Sequence, residues 1–278
     1  MTVPGPALLF CPGDRPERFA RAAEVADGAI LDLEDGVAPA DKAAARAAVA
    51  AADLDRATTV VRINPVGTRE HREDLAMVRD AGYGLVMLPK TETRSAAEEL
   101  TGLAVIALCE TAAGVLKAAE IAEADNVTAL MWGAEDLMAS IGGSRSRRPD
   151  GAYNEVSLLA RSMVLLATGA AGRAAIDAVH LDIGDRDGLL TECLLAVSDG
   201  FTHKACVHPA QVPVVTKGFA PTQAQVEWAD AVLAEALASP NGAFAFRGSM
   251  VDEPLLRQAR AILARNRPRP GSSTARPA

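Results

Sequence analysis

Aromatic residues and basic charge are scarce in this chain of 278 residues. Phe, Trp and Tyr together make up 4% of it, and 36 acidic residues outnumber 28 Lys and Arg, for a formal net charge of −8. Nucleic acid-binding proteins usually carry a basic surface, and single-strand binders add aromatic platforms. The composition therefore disfavours nucleic acid as the main partner.

Cysteine is also rare, and long hydrophobic runs are missing. The four cysteines form no CxxC pair, and three of them sit inside apolar runs, which favours buried free thiols in a reducing compartment over disulfides. The start, "MTVPGPALLF", does not resemble a signal peptide. No apolar run reaches the roughly 18 residues of a spanning helix. We expect a cytoplasmic protein with no membrane partner.

What the chain does contain is a repeated pattern of short apolar runs. There are eight, each four to seven apolar residues long and often β-branched. They are "ALLFCP", "GAILDLED", "TTVVRIN", "GLVMLPK", "AVIALCE", "TALMWGAED", "AIDAVHLD" and "KACVHPAQ". Continuous apolar runs are typical of parallel strands that helices cover on both faces.

Ala-rich segments of helical character separate these runs. Eight βα units in about 215 residues predict an α/β protein of the closed (β/α)8 TIM-barrel class. An open doubly wound sheet is the alternative. It would usually carry a Gly-rich phosphate turn after its first strand, and "CPGDRPERF" is not such a turn.

Polar residues follow the predicted strands, one group after each. In a barrel the carboxyl ends of all strands meet at one face, where enzymes of this architecture place their chemistry. We therefore predict a functional site there, among Asp14, Arg15, Asp32, Glu34, Asp35, Arg62, Asn64, Lys90, Glu110, Glu135, Asp136, Asp182, His208 and Gln211.

Glu110 and Asp136 end adjacent predicted strands, so their carboxylates are expected to converge. Two close carboxylates repel each other unless a cation lies between them. Oxygen ligands favour Mg²⁺, and no Cys/His cluster indicates zinc. The alternative is that each acid pairs with its own base, for instance Glu110 with Arg62.

Arg62 ends an apolar strand, where a surface arginine is unusual. Its planar guanidinium suits bidentate capture of a substrate carboxylate or a developing oxyanion. The alternative is a salt bridge to Glu34 or Asp35, and both can hold if these acids orient Arg62. Asp32 alternates in phase with Glu34, so one of the two is expected to face inward.

Other site candidates have competing interpretations. His208 is either a general base or, more commonly at a strand end, a packed ring. Lys90 is either a Schiff-base amine or a partner of the nearby acids. The loop "GGSRSRRPDGAY" either brings Arg145, Arg147 and Arg148 to the phosphates of a cofactor or is a solvated loop without a role.

Taken together, several motifs resemble the HpcH/HpaI aldolase/citrate lyase family, in its citrate lyase beta subunit-like branch. They occur in order from about residue 8 to residue 255, and the joint match is specific although each motif alone is weak. The motifs are "FCPGDRPERFARA", "LDLEDGVAPADKAAAR", "VRIN", "VMLPK", "ALCETAAG", "WGAEDL", "CVHPAQ" and "GSMVDEP".

The resemblance implies a TIM barrel, commonly trimeric, that makes or breaks a carbon–carbon bond beside an acyl-CoA thioester. It implies Mg²⁺ held by Glu110 and Asp136, with a 2-oxo acid that binds the metal and contacts Arg62. Arg15 joins Arg62 and Glu110 as an expected substrate-binding residue. The resemblance also implies two catalytic residues, Arg62 and Asp252. Asp252 would act as an acid/base and lie on a C-terminal segment that reaches a neighbouring subunit. From the residues alone, a helix is expected here with an acidic cap, Asp252 or Glu253, before Pro254.

Three segments are predicted: a catalytic barrel over residues 1–240, a lid over 241–264 and a disordered tail over 265–278. Two other functions remain open. One is an aldolase that cleaves a 2-oxo-4-hydroxy acid without CoA, and the other is a non-catalytic barrel subunit. The sequence does not distinguish a free CoA thioester from a carrier-bound one.

Overall fold

Eight parallel strands form a closed barrel in the computed structural model, which describes residues 2–238 and 242–266. Each strand pairs with the next along the chain, and the first pairs with the eighth, which closes the sheet. The strands are β1 Ala7–Pro12, β2 Gly28–Asp32, β3 Thr59–Arg62, β4 Leu85–Leu88, β5 Ala104–Cys109, β6 Val127–Trp132, β7 Ala174–Asp177 and β8 His203–Cys206. The predicted TIM barrel is confirmed.

One or two helices follow each barrel strand, in agreement with the helical character of the Ala-rich segments. They are α1 Phe19–Val25, α2 Lys42–Ala50, α3 Arg69–Asp80, α4 Arg94–Glu98, α5 Ala112–Leu116, α6 Ala118–Ala122, α7 Ala134–Ser140, α8 Glu155–Ala171, α9 Arg186–Asp199 and α10 Val212–Phe219. The sequence predicts one helix over the segment "GVLKAAEIAEA". In the structure there are two, because Lys117 separates α5 from α6.

The barrel interior is apolar over most of its length and becomes polar at the carboxyl ends of the strands. Ile30 of β2 and Val60 of β3 are buried members of the central core. Because side chains alternate along a strand, Asp32 and Arg62, two residues further on, share their inward face. The alternation of side chains along the strands therefore places a charged pair next to the apolar core.

The strands end earlier than the sequence suggests. Lys90 and Glu110 lie in the loops that directly follow β4 and β5, and Asp136 lies in the first turn of α7 rather than on β6. A loop or a helix start can turn its side chains in directions that a regular strand does not allow. Acidic side chains from different segments can therefore lie close to one another.

The chain divides into two compact units, Met1–Thr216 and Lys217–Ala278, and α10 spans the division. The second unit contains α11 Gln223–Ala238, the antiparallel hairpin of β9 Phe244–Phe246 and β10 Ser249–Val251, and α12 Glu253–Arg265. Its core is formed by Ala229, Val232, Val251, Leu256, Ala259 and Ile262.

The helix expected after Asp252 is present as α12, and Asp252 is its N-terminal flanking residue. The predicted boundary between barrel and lid at residues 240 and 241 lies outside the described residues. So does most of the predicted tail, residues 267–278. The three-segment division therefore stays a prediction.

All four cysteines are buried free thiols in the structure. Over the described parts of the chain, the structure contains no helix with the length and apolar character needed to cross a membrane.

Candidate active site

Arg62 and Asp32 form a bidentate pair at the carboxyl end of the barrel. Arg62 Nε donates to Asp32 Oδ1 at 2.7 Å, and Nη2 donates to Asp32 Oδ2 at 2.6 Å. Its Nη1 lies 3.0 Å from Glu34 Oε2. Asp32 and Glu34 are both buried, so two acids fix one guanidinium.

Arg62 also lies over the ring of Phe10, with its guanidinium carbon 4.9 Å from the ring centroid. Burial alone would lower the pKa of Arg62, but the hydrogen bonds and the charge of Asp32 and the charge of Glu34 raise it above its ordinary value. The guanidinium is therefore a permanent cation in the barrel mouth.

Glu110 is a buried carboxyl group, 3% exposed, directly after β5. Its Oε1 accepts a hydrogen bond from the backbone N–H of Lys90 at 3.0 Å. Burial, with the neighbouring charge of Asp136, raises the pKa of Glu110 to about 8, although Lys90 and Arg62 act in the opposite direction. A buried carboxyl group with this pKa binds either a proton or a cation at neutral pH.

Lys90 lies among four acids. Its Nζ forms an ion pair with Glu34 and lies 3.1 Å from Asp35 Oδ2, 4.0 Å from Glu110 Oε1 and 3.8 Å from Asp136 Oδ1. The predicted alternative in which Lys90 pairs with the nearby acids is confirmed.

Gly133 allows the start of α7 to approach Glu110. A Cβ atom at position 133 would lie 2.8 Å from both Cβ and Oε2 of Glu110. A side chain at this position would therefore force Glu110 to shift, and glycine lets the chain pass close to this carboxyl group.

A cavity of about 310 Å³ opens beside these residues. Its walls combine the charged side chains with apolar ones, and its lining includes Phe10, Asp32, Arg62, Leu108, Glu110, Met131, Asp136, Val179 and Val207. Small-molecule sites commonly have this character, with a few polar groups fixing the orientation of the ligand.

The donor set fits Mg²⁺. The oxygens of Glu110 and Asp136 both lie within 4.0 Å of the Lys90 Nζ, and the charge of Asp136 already raises the pKa of Glu110. Mg²⁺ is typically held by one or two protein carboxylates, with water and substrate completing its coordination. Within residues 2–238 and 242–266, no group of three or more His, Cys, Asp and Glu is arranged to hold a metal ion, so the two carboxylates would need substrate and water as further ligands.

The remaining predicted residues are placed as follows. Asp35, expected to orient Arg62, is largely exposed and contacts Lys90, whereas Asp32 takes the position on Arg62. Arg15 follows β1 at the same end of the barrel, is more than half exposed, and lies 3.8 Å from Asp14. The sequence did not single out Asp32 from its acidic neighbours, although its alternation with Glu34 was the available signal.

His208 is exposed, so the expectation of a packed ring is wrong, although the ring makes a local structural contact. Its Nδ1 accepts a hydrogen bond from the backbone N–H of Ala210 at the start of the turn after β8. In the arginine-rich loop, Arg147 Nη1 lies 2.6 Å from Glu192, and the Arg147 guanidinium stacks on Tyr153. Protein groups therefore already bind this guanidinium.

A second buried network of charged residues lies between the barrel strands and α8, and the sequence analysis did not predict it. Lys204 of β8, fully buried, donates to Asp177 Oδ2 at 2.9 Å, and Trp132 donates to Asp177 Oδ1 at 2.8 Å. Arg161 of α8 lies 3.1 Å from the same oxygen. These contacts join β6, β7, β8 and α8 and therefore support the barrel wall.

Asp252 belongs to the second unit. It precedes α12 without capping it through its side chain, and its buried Oδ1 has no hydrogen-bond partner among the described residues. A buried acid oxygen without a partner is costly, and such groups are often functional.

Residues 7–209 match the model of the HpcH/HpaI aldolase/citrate lyase family. The citrate lyase subunit beta-like protein of Mycobacterium tuberculosis is 54% identical over 261 residues, which cover 94% of this chain and 95% of that protein. The mitochondrial citramalyl-CoA lyase of Mus musculus is 35% identical over 294 residues, with 94% and 86% covered.

The same similarity appears among solved structures. The crystal structure of CitE from Mycobacterium tuberculosis in complex with magnesium, acetoacetate and coenzyme A superposes with a TM-score of 0.89 at 52% identity, covering 95% of this chain and 98% of that one. Its magnesium agrees with the predicted cofactor, and the names of the relatives agree with the predicted enzyme class. The chain belongs to the HpcH/HpaI aldolase/citrate lyase family.

Proposed function

We propose that this protein is a Mg²⁺-dependent carbon–carbon lyase. It cleaves a 3-hydroxyacyl thioester into acetyl-CoA and a 2-oxo acid, or catalyses the reverse condensation. The observation that carries the proposal is the convergence of Glu110, Asp136 and Arg62 on one cavity at the barrel mouth. Two carboxylates and a fixed guanidinium are suited to a chelating 2-oxo acid.

In this proposal Glu110 and Asp136 hold the metal. The raised pKa of Glu110 and its closeness to Asp136 support this assignment, because a divalent cation relieves the repulsion between the two acids. When bound, Mg²⁺ supplies Lewis-acid polarisation of the oxo group and a template for the substrate. Glu110 also contacts the substrate in the proposed arrangement.

Arg62 provides binding and charge stabilisation. Asp32 occupies one N–H of Nε and one of Nη2, and Glu34 lies at Nη1. A guanidinium has five N–H donors, so two remain to bind a substrate carboxylate or the negative oxygen that develops as the bond breaks. One such preorganised donor is commonly worth about 3–4 kcal/mol of transition-state stabilisation.

Proton transfer is the proposed role of Asp252. In cleavage, a base takes the proton of the substrate hydroxyl, the carbon–carbon bond breaks, and an acetyl-CoA enolate and a 2-oxo acid form. Asp252 then protonates the enolate carbon. The unpartnered Oδ1 of Asp252 supports this role, and the family resemblance suggests that the residue serves the site of a neighbouring subunit.

The finer assignments are part of the same proposal. Citramalyl-, malyl- and citryl-CoA are the candidate substrates, and the citramalyl-CoA lyase relative favours the first. Arg15 contacts the thioester at the rim. The protein is a cytoplasmic homotrimer, and its substrate is an acyl thioester of either free CoA or a carrier.

The test is release of acetyl-CoA from citramalyl-, malyl- and citryl-CoA, with and without Mg²⁺. We expect turnover of at least one thioester that EDTA abolishes. Glu110→Gln and Asp136→Asn should lose both Mg²⁺ binding and turnover, while Glu24→Gln, in the exposed pair with Arg21, should retain them. Turnover that persists in EDTA would contradict the metal, and aldehyde release from a 2-oxo-4-hydroxy acid without CoA would favour the aldolase.

A further inference from the structure

Lys90 lies beside the two proposed metal ligands. Its Nζ pairs with Glu34, donates to Asp35 Oδ2 at 3.1 Å, and lies within 4.0 Å of Glu110 and Asp136. One ammonium therefore contacts the acids that follow β2 and, at longer range, the two proposed metal ligands. This arrangement raises the question of what Lys90 does when the metal binds.

The backbone at Lys90 is arranged for this position. Lys90 has a φ of +48°, in the left-handed region that residues with a Cβ atom seldom adopt. Its N–H donates to Glu110 Oε1, so the backbone and the side chain of one residue both face the acids. Residues in sparsely populated conformations often mark functional sites when the surrounding structure holds them there.

The contacts of Lys90 are of two kinds. The Nζ contacts with Glu34 and Asp35 are at hydrogen-bond distance, whereas those with Glu110 and Asp136 are 3.8–4.0 Å. Arg62 is already bound by Asp32 and Glu34. Among the described residues, Lys90 is therefore the flexible cationic side chain that lies closest to the proposed ligands.

We propose that Lys90 is a positioning residue that substitutes for the metal ion. Its ammonium neutralises Glu110 and Asp136 in the metal-free protein, and it stays on Glu34 and Asp35 when Mg²⁺ binds. The inference rests on the proposed function, because it takes Glu110 and Asp136 as the metal ligands. Lys90 thereby keeps the acids together without the metal and weakens Mg²⁺ binding by charge repulsion.

The test compares wild-type protein with Lys90→Met and Lys90→Gln in the same buffer. Thermal unfolding is followed with and without MgCl₂, and Mg²⁺ affinity is measured by calorimetry. Without metal, both variants should melt several degrees below wild type. With saturating MgCl₂ the difference should become smaller without disappearing, because the contacts of Lys90 with Glu34 and Asp35 are lost in both states. The Kd for Mg²⁺ should be about tenfold lower than in wild type, since a nearby unit charge interacts strongly with a cation in a partly buried site.

Lys42→Met is the matched control. Lys42 Nζ donates to the carbonyls of Leu33 and Glu34 and to Asn64 Oδ1, so it supports the loop after β2 by backbone contacts. Its variant should lose the same stability with and without MgCl₂ and keep the wild-type Kd.

The outcomes separate the two proposals. A Lys90→Met deficit that is equal with and without MgCl₂ overturns the inference and leaves the metal site standing. The same holds if Lys90→Met shows no deficit in the metal-free state, or if its Kd for Mg²⁺ is unchanged or higher. If wild-type protein does not bind Mg²⁺ at all, the proposed function fails and the inference fails with it.

Discussion

Asp32 and Arg62 are register partners on adjacent strands, and their side chains form a two-point hydrogen-bonded pair at the barrel mouth. The register aligns the two Cα atoms, and the shared inward face directs both side chains into the same space. Arg62 is therefore oriented by its neighbouring strand before any substrate arrives.

Asp32→Asn should reduce kcat while leaving the fold intact. The asparagine retains the shape of aspartate but loses its charge and offers one acceptor oxygen, so Arg62 loses its fixed orientation. We expect kcat to fall about a hundredfold, as for small misplacements of a positioned group. Steady-state kinetics on the thioester that is turned over would measure this.

Asp74→Asn provides the control for Asp32. Asp74 is also a fully buried acid and accepts hydrogen bonds from Asn64 and Arg46, but it does not line the cavity. The Asp74→Asn variant should be less stable than wild type and keep the wild-type kcat. Equal losses of kcat in both variants would indicate general disruption instead.

The raised pKa of Glu110 predicts that the free energy of unfolding depends on pH. In the folded, metal-free protein its pKa is raised to about 8 from an ordinary 4.5, with burial the largest cause and the charge of Asp136 the next. The folded state therefore binds a proton that the unfolded state releases between these values. This contribution is present below pH 4.5 and is lost as the pH rises toward 8.

Denaturant titrations in EDTA across this range should show wild type losing stability relative to Glu110→Gln, whose side chain does not titrate. Mg²⁺ affinity should rise as Glu110 loses its proton, by about tenfold from pH 7 to pH 9, because ligands must be deprotonated. A flat affinity over this range would argue against Glu110 as a ligand.

Asp177→Ala should destabilise the barrel strongly. The substitution leaves Lys204 buried with its closest acid removed and takes an acceptor from Trp132 and Arg161. Breaking a buried pair in this way typically costs about 3–5 kcal/mol in the free energy of unfolding. Chemical denaturation would give the value.

Glu24→Ala is the comparison for Asp177, because the Arg21–Glu24 pair is solvent-exposed. Exposed pairs contribute about 0–1 kcal/mol, so this variant should be close to wild type. Similar losses in the two variants would mean that the buried network has no special weight.

Asp252→Asn should leave Mg²⁺ binding nearly intact and stop turnover. If Asp252 serves a neighbouring subunit, mixed oligomers of Asp252→Asn and Arg62→Ala chains should regain part of the activity, because some sites then combine an intact Arg62 with an intact Asp252. Coexpression with two affinity tags would isolate the mixed oligomers. Absence of rescue would indicate a site completed within one chain.

The sequence alone determined the barrel and the face that carries the chemistry. Eight apolar runs, each followed by polar residues, are a local pattern, and a parallel barrel brings their carboxyl ends together whatever the details of packing. Glu110, Asp136 and Arg62 could be selected from it for this reason. The family motifs added Asp252, which periodicity could not single out.

Which charged residues pair with one another depends on the tertiary structure. Asp32 rather than Asp35 binds Arg62 because strand register and the inward face select it. Lys90, whose backbone is in a left-handed conformation, contacts four acids from three different segments. The Lys204–Asp177 pair joins residues 27 positions apart across β7 and β8. Such pairings depend on distances and directions between segments, which a linear pattern of residue types does not contain.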